Sequence, residues 1–284
     1  MAAPVVWVTG AGGLIGSYLV RTATKFAPEF QVIGFTRGQL ELTDLAAVRQ
    51  AFRDQSPQAV IHCAALSKSP ACQAEPAVAR KINVDVTRCL AELAAKTQFI
   101  FFSTDLVFDG RQGNYDETAK TNPLSVYAET KVAAERIVLA NPRHTVIRAS
   151  LNGGTSPTGD RGFNEELRRG WREGRRLSLF ADEFRSPLPA VVTARAVWEL
   201  VAKQLTGLFH IAGSERLSRF EIGQLVAARW PQLNPVVEAG SLKNYPGAPR
   251  PPDTSLNCAK VQRELSFRLP GLREWLAENP DEPF

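Results

Sequence analysis

Val5-Val6-Trp7-Val8-Thr9-Gly10-Ala11-Gly12-Gly13-Leu14-Ile15-Gly16-Ser17 passes from an apolar run through a glycine-rich turn into a helical pattern. The stretch reads as a strand, a turn and a helix. Gly10 permits the tight turn, Gly13 lets backbone approach a pyrophosphate, and Gly16 allows the helix to pack closely, leaving N–H groups to carry an anion. Such a glycine pattern is weak in isolation. Its place directly after a strand and within the first twenty residues points to a dinucleotide site.

The second strand pattern, Gln31-Val32-Ile33-Gly34-Phe35, addresses which dinucleotide. NAD-specific sites place an acid at its end for the adenosine ribose hydroxyl, whereas here Thr36 and Arg37 follow. A guanidinium suits a 2′-phosphate, so NADP(H) is favoured over NAD(H).

Apolar runs at Val5–Val8, Val32–Phe35, Ala59–Cys63, Phe99–Phe102 and Val146–Arg148 alternate with helical patterns at Leu14–Lys25, Leu45–Arg53, Val78–Lys96 and Val126–Leu139. Thr43 or Asp44 can cap the second helix, and Pro57 and Pro142 fall where helices should end. The alternation predicts an α/β fold, a Rossmann-type doubly wound parallel sheet. Beyond Ser150 the pattern loosens. Strands are expected at Leu177–Phe180 and Leu208–Ile211, helices at Thr193–Gln204 and Arg219–Ala228, and a stiff loop at Tyr245–Pro252. The expected organisation is a dinucleotide-binding domain over 1–150 and a smaller C-terminal substrate-binding region over 151–284, of which about 186–212 returns to the sheet.

The 284 residues are 44% hydrophobic, as in an ordinary globular chain, and the formal charge is +5 with a pI of about 9.2. Basic residues are dispersed except for Arg168, Arg169, Arg172, Arg175 and Arg176, read as a solvated helix face or else as an attractor of anionic substrate. Nucleic-acid binding is not indicated. Cys63, Cys72, Cys89 and Cys258, with His62, His144 and His210, show neither metal-ligand spacing nor a disulfide framework. No metal is expected. The glycine-broken N-terminus resembles neither a signal peptide nor a membrane span, so a cytoplasmic protein without membrane partners is expected.

Two further patterns bear on chemistry: Phe101-Phe102-Ser103-Thr104-Asp105 at a strand end and Tyr127-Ala128-Glu129-Thr130-Lys131 at a helix start. Four-residue spacing puts Tyr127 and Lys131 on one helix face, where the ammonium would lower the phenol pKa for acid–base work. Thr104 should emerge at the carboxyl edge of the sheet, where ligands of such folds bind, unless Ser103 or Thr104 merely caps the following turn. Asp105 could bond substrate or local backbone.

Taken with the glycine spacing, Ser103-Thr104-Asp105 and Tyr127-x-x-x-Lys131 make the chain similar to the extended short-chain dehydrogenases/reductases. Within them it resembles the dTDP-4-dehydrorhamnose reductase group through Ser103–Gly110, Pro123–Lys131, Gly207–Ile211 and Arg250–Leu256. The resemblance implies a catalytic set of Thr104, Tyr127 and Lys131. It implies a pyrophosphate loop of Gly10, Gly13, Leu14, Ile15 and Gly16. Leu42 and Thr43 would flank the adenine, Ala64 and Ala65 would lie beneath the ribose and pyrophosphate, and Ser103 would join the cofactor contacts. Arg250 matches a basic position toward a substrate diphosphate. Asp105, Leu151 and Arg185 are further candidates for the substrate pocket.

The match is broken in places. Leu151 stands where that group commonly has Trp, Leu106 replaces a usual Tyr, and Leu66–Cys72 lacks the usual Val-Asp pair and later acid. These departures bear on the sugar nucleotide rather than the hydride machinery. The expected activity is NADP(H)-dependent reduction of a carbonyl, foremost C4 of a nucleoside-diphosphate 4-keto-6-deoxy sugar. Two alternatives remain open: a non-catalytic NADP-binding regulatory subunit resembling that of methionine adenosyltransferase, and a redox-neutral epimerase or dehydratase. Exposed helices are compatible with a homodimer.

Overall fold

The structure, a computed structural model, describes residues 3–247, 249–282 and 284. Met1, Ala2 and Pro283 of the two expected units, and Ala248 of the Tyr245–Pro252 loop, lie outside the described residues. The chain opens β1 (Val5–Thr9), α1 (Leu14–Phe26), β2 (Gln31–Phe35), α2 (Leu45–Gln55) and β3 (Ala59–His62). Two short helices follow, α3 (Ser69–Ala74) and α4 (Pro76–Arg80), then a π-helical turn at Lys81–Asp85 and α5 (Val86–Leu93). β4 (Gln98–Thr104), α6 (Val126–Leu139) and β5 (Thr145–Ala149) complete the first half.

The second half carries β6 (Asn152–Gly153), α7 (Phe163–Arg172), β7 (Arg176–Phe180), β8 (Phe184–Arg185), β9 (Leu188–Pro189), α8 (Ala190–Ala202) and β10 (Gly207–Ile211). It continues with β11 (Leu217–Ser218), α9 (Arg219–Arg229), β12 (Val236–Gly240), α10 (Ala259–Gln262) and α11 (Leu272–Glu278).

Six strands form one parallel sheet in the order β10-β5-β4-β3-β1-β2. The order reverses at β1, whose neighbours are β2 on one side and β3 on the other, so a crevice opens at the carboxyl ends of β1 and β3. Both faces of the sheet are covered, which explains its continuous apolar runs. Alternate residues serve opposite faces. Val6, Val8, Ile61, Ile100 and Ile147 pack with α1 and α8, while Trp7, Val60, Phe99, Phe101 and Val146 pack with residues of α2, α5 and α6. Trp198 fastens α8 to α1 by donating its indole N–H to the Leu19 carbonyl at 3.2 Å.

The helices of the first half start where the local chemistry predicts. Asp44 caps α2 by accepting from the N–H groups of Ala46 and Ala47, and Ser125 caps α6 through Ala128. The helix expected over Val78–Lys96 is present as the contiguous α4, π-helical turn and α5, running from Pro76 in its first turn to Leu93 with helical backbone at each junction.

Beyond β5, the strand expected at Leu177–Phe180 pairs in parallel with β12, which sequence reading overlooked. The arginine cluster also divides. Arg169, Arg172, Arg175 and Arg176 are exposed, but Arg168 is buried with its guanidinium 4.7 Å from the centre of the Trp230 ring, so one member is a packing residue. Among the described residues, no helix is long and apolar enough to cross a membrane.

Candidate active site

The site is built at the carboxyl edge of the sheet. Gly10 leaves β1 with φ +72°, and a Cβ there would lie 2.7 Å from the Ala64 nitrogen. A Cβ on Gly16 would lie 2.3 Å from the Gly10 carbonyl oxygen. The first turn of α1 therefore stacks directly on the β1 turn, with the Ala64 backbone after β3 against Gly10. Gly13 offers α1 no side-chain cap, so the first N–H groups of that helix remain for an anion. A bare helix N-terminus inside a glycine cradle, at the switch point of a parallel sheet, fits a dinucleotide pyrophosphate.

Leu14 and Ile15 root the loop in the sheet core. At the adenosine end, Thr36 is tied to Gln39 through its N–H and hydroxyl, and Leu42 packs against the cluster around Trp7. Thr43 donates both N–H and hydroxyl to Glu41. Arg37 is exposed and paired with Glu41 at 2.8 Å. The Thr43 N–H foremost, then Arg37, hold the Glu41 carboxyl down at about 2. Glu41 thus holds the exposed Arg37 guanidinium just beyond the end of β2.

Thr104 ends β4 and Tyr127 begins α6, with Lys131 one turn later on the same face; all three are buried. The Lys131 ammonium lies 4.0 Å from the centre of the Phe101 ring. Burial lowers its pKa to about 7, against the opposing pull of Glu135 and the Cys63 thiol.

The expectation that Lys131 brings the Tyr127 phenol down is corrected. Burial drives it up well beyond the ordinary phenol range, and the Asp105 charge adds to the rise, while Thr104 and Arg185 oppose it. Desolvation is the largest cause and sets the direction. Tyr127 is consequently a protonated acid at neutral pH, the form a proton donor needs.

Ser103 departs from its expected place at the cofactor. Strand alternation sends it to the face opposite Thr104, where its hydroxyl donates to Glu135 at 2.5 Å. Glu135 also holds Arg148 through two bonds of 3.0 and 2.7 Å, a buried pair that joins α6 to β5 beneath the site. Thr104 does serve as a cap, accepting the Leu106 N–H at 3.2 Å, in addition to standing beside Tyr127.

Of the substrate candidates, Asp105, Arg185 and Arg250 are linked through Glu183, whereas Leu151 packs in another cluster. Asp105 is fully buried among protein donors, and Arg185 is turned onto it at 2.7 Å. Arg250 is held by Glu183 through bonds of 2.8 and 2.9 Å, and Arg219 and Arg185 approach the same carboxylate. Burial alone would raise Glu183, but the three guanidinium groups prevail and bring it to about 2. Leu151 packs with Phe163 and the cluster around Trp171. Leu66, Leu106 and Val126 pack with Tyr127, giving its ring an apolar flank.

Several supporting residues escaped sequence reading. Asn83, in the π-helical turn, accepts the Leu66 N–H at 2.8 Å and donates to Thr130 on α6 at 3.0 Å, so it ties the loop after β3 to the helix bearing Tyr127. His62 links Thr9 at 2.6 Å to Thr87 at 3.1 Å, joining β1, β3 and α5. The one available signal was the Asn83–Thr87 spacing on a helix face.

Fold and site together define an NAD(P)-dependent oxidoreductase of the extended short-chain dehydrogenase/reductase type. The RmlD substrate binding domain profile matches residues 5–282, and the chain belongs to that family. It is 29% identical to the dTDP-4-dehydrorhamnose reductase of Sinorhizobium fredii (strain NBRC 101917 / NGR234), over 94% of this chain and 93% of the relative. It is 26% identical to methionine adenosyltransferase 2 subunit beta of Xenopus laevis, over 95% and 86%. Among solved structures, dTDP-4-dehydrorhamnose reductase from Bacillus anthracis str. Ames in complex with NADP superposes with a TM-score of 0.88 at 24% identity, over 98% of each chain.

Proposed function

We propose that this chain is an NADP(H)-dependent reductase of a carbonyl in a sugar nucleotide, foremost C4 of a nucleoside-diphosphate 4-keto-6-deoxy sugar. The observation that carries the reading is the buried set of Thr104, Tyr127 and Lys131 beside the uncapped glycine cradle. Relatives named as dTDP-4-dehydrorhamnose reductases, one of them holding NADP, support both the substrate class and the cofactor.

NADPH, when bound, supplies the hydride. The turn of Gly10, Gly13 and Gly16 and the N–H groups of Leu14 and Ile15 hold its pyrophosphate, with Ala64 and Ala65 opposite. Arg37 meets the 2′-phosphate beside Thr36, and Leu42 and Thr43 border the adenine. Lys131 holds the nicotinamide ribose. Thr104 donates a hydrogen bond to the substrate carbonyl oxygen, so charge developing there is stabilised, and Tyr127 gives that oxygen its proton. Alignment of carbonyl and cofactor in one desolvated cleft supplies much of the acceleration. Leu151 borders the sugar, and Arg250, released in part from Glu183, reaches toward the diphosphate.

The similarity to methionine adenosyltransferase 2 subunit beta favours a second reading, a regulatory subunit that binds NADP(H) without turning it over. NADPH oxidation across nucleoside-diphosphate 4-keto-6-deoxy sugars and simple ketones separates the two. The proposal expects consumption with the sugar nucleotides. Tight NADPH binding without consumption favours the regulatory subunit or a redox-neutral enzyme.

A further inference from the structure

The Asp105 carboxylate is completely enclosed, and each of its oxygens accepts twice. Oδ1 takes the Arg185 guanidinium at 2.7 Å and the Thr104 hydroxyl at 3.2 Å. Oδ2 takes the Ser150 hydroxyl at 2.7 Å and the Thr254 hydroxyl at 3.2 Å. A carboxylate has about four acceptor positions, so none remains for substrate. The donors come from four parts of the fold: the end of β4, the loop after β5, β8, and the segment that follows Asp253.

β8 is itself embedded in the C-terminal half. Phe184 donates to the Pro252 carbonyl at 2.7 Å and accepts from Thr254, and Arg185 registers against Leu217 of β11. Arg185 is buried as well, and its Nε and Nη1 have no hydrogen-bond partner. The Asp105–Arg185 contact is therefore the charged joint between the C-terminal half and the strand end that carries Thr104.

Thr104 has a single hydroxyl proton, and because an ionised carboxylate only accepts, its 3.2 Å hydrogen bond to Asp105 Oδ1 engages that proton. Lending that proton to a carbonyl oxygen requires the hydroxyl to let go of Oδ1. The 2.7 Å charge-assisted bond from Arg185 already satisfies Oδ1, so release costs little. With Arg185 removed, Thr104 would be the only donor to Oδ1 of a buried anion that has lost its cation, and the proton would be held there.

We propose that Asp105 and Arg185 form a positioning pair in which Arg185 neutralises the Asp105 carboxylate and thereby frees the Thr104 hydroxyl for the substrate carbonyl. The pair rests on the reductase reading and touches no substrate itself. It assigns Asp105 and Arg185 away from the substrate contacts expected of them from sequence.

The test compares Arg185→Met, Asp105→Asn and the double variant with wild type, measuring kcat, KM and the Kd for NADPH. Arg185→Met is expected to lose about tenfold or more in kcat, the scale of a hydrogen bond held by a charge, with KM and the NADPH Kd unchanged. The double variant removes both charges, is spared a lone buried ion, and is expected to recover most of the lost kcat. Its recovery is decisive even where Arg185→Met proves too unstable to assay. A raised KM with unchanged kcat in Arg185→Met, or a double variant no better than the single ones, would overturn the pair. Absence of turnover in the wild type would instead overturn the reductase reading.

Discussion

In the proposed function, cofactor choice turns on Arg37. Its guanidinium is exposed, and the low-lying Glu41 carboxylate orients it without burying it, so it remains free to meet a second anion. Arg37→Ala is expected to weaken NADPH by about tenfold or more, on the scale of a charge-assisted hydrogen bond, while leaving NADH nearly unaffected. Titrating both nucleotides against both proteins measures this. Equal losses for the two would remove Arg37 from the 2′-phosphate. The place of Arg37 just beyond β2 was legible because the strand pattern Gln31–Phe35 is local in sequence. The engagement of Ser103 by Glu135 and of Asp105 by Arg185 was not, because those partners lie 32 and 80 residues away and only the folded chain brings them together.

At the scale of elements, the β1 turn and the start of α1 form a single unit. A methyl group at position 10 would need a positive φ, costing about 1–2 kcal/mol, and would also press into the Ala64 backbone. Gly10→Ala is therefore expected to lower the melting temperature and to abolish most NADPH affinity. Calorimetry and titration check the two effects, and a variant with wild-type values for both would show that the turn has more room than the geometry gives it. This unit was readable because strand, glycines and helix are contiguous in sequence. The π-helical turn inside the helix after β3 was harder to read. Residues 76–93 keep a helical pattern throughout, and the π-helical turn that aims Asn83 at Leu66 and Thr130 leaves no mark in periodicity. The parallel pair of β7 and β12 eluded reading for a related reason, since β12 is short and half-exposed.

Across the whole molecule, buried histidines make stability depend on pH. His62 and His210 are desolvated, with pKa values lowered from 6.5 to about 3 and about 4; Lys131 contributes to the first and Arg148 to the second. The unfolded chain takes up protons below 6.5 while the folded chain does not, so stability should fall as pH drops from 6.5 to about 4. The slope has an upper bound of roughly 1.4 kcal/mol per pH unit per histidine. Glu183 adds a loss below 4.5 as its carboxylate is protonated on the way to about 2. Denaturant titrations across this range, repeated with His62→Gln, should show a shallower fall in the variant; an unchanged slope would contradict the role given to His62.

In the proposed function, the cleft formed by the glycine cradle and the set of Thr104, Tyr127 and Lys131 moves a hydride onto a carbonyl carbon. The direct measurement uses NADPH deuterated at the transferable position of its nicotinamide, with a nucleoside-diphosphate 4-keto-6-deoxy sugar, in wild type and Tyr127→Phe. Deuterium should appear on the product carbon with wild type. The variant should bind NADPH normally and transfer label about 10²–10⁴ times more slowly, the range of a lost general acid. Undiminished transfer by Tyr127→Phe, or none by a wild type that binds NADPH tightly, would contradict the account.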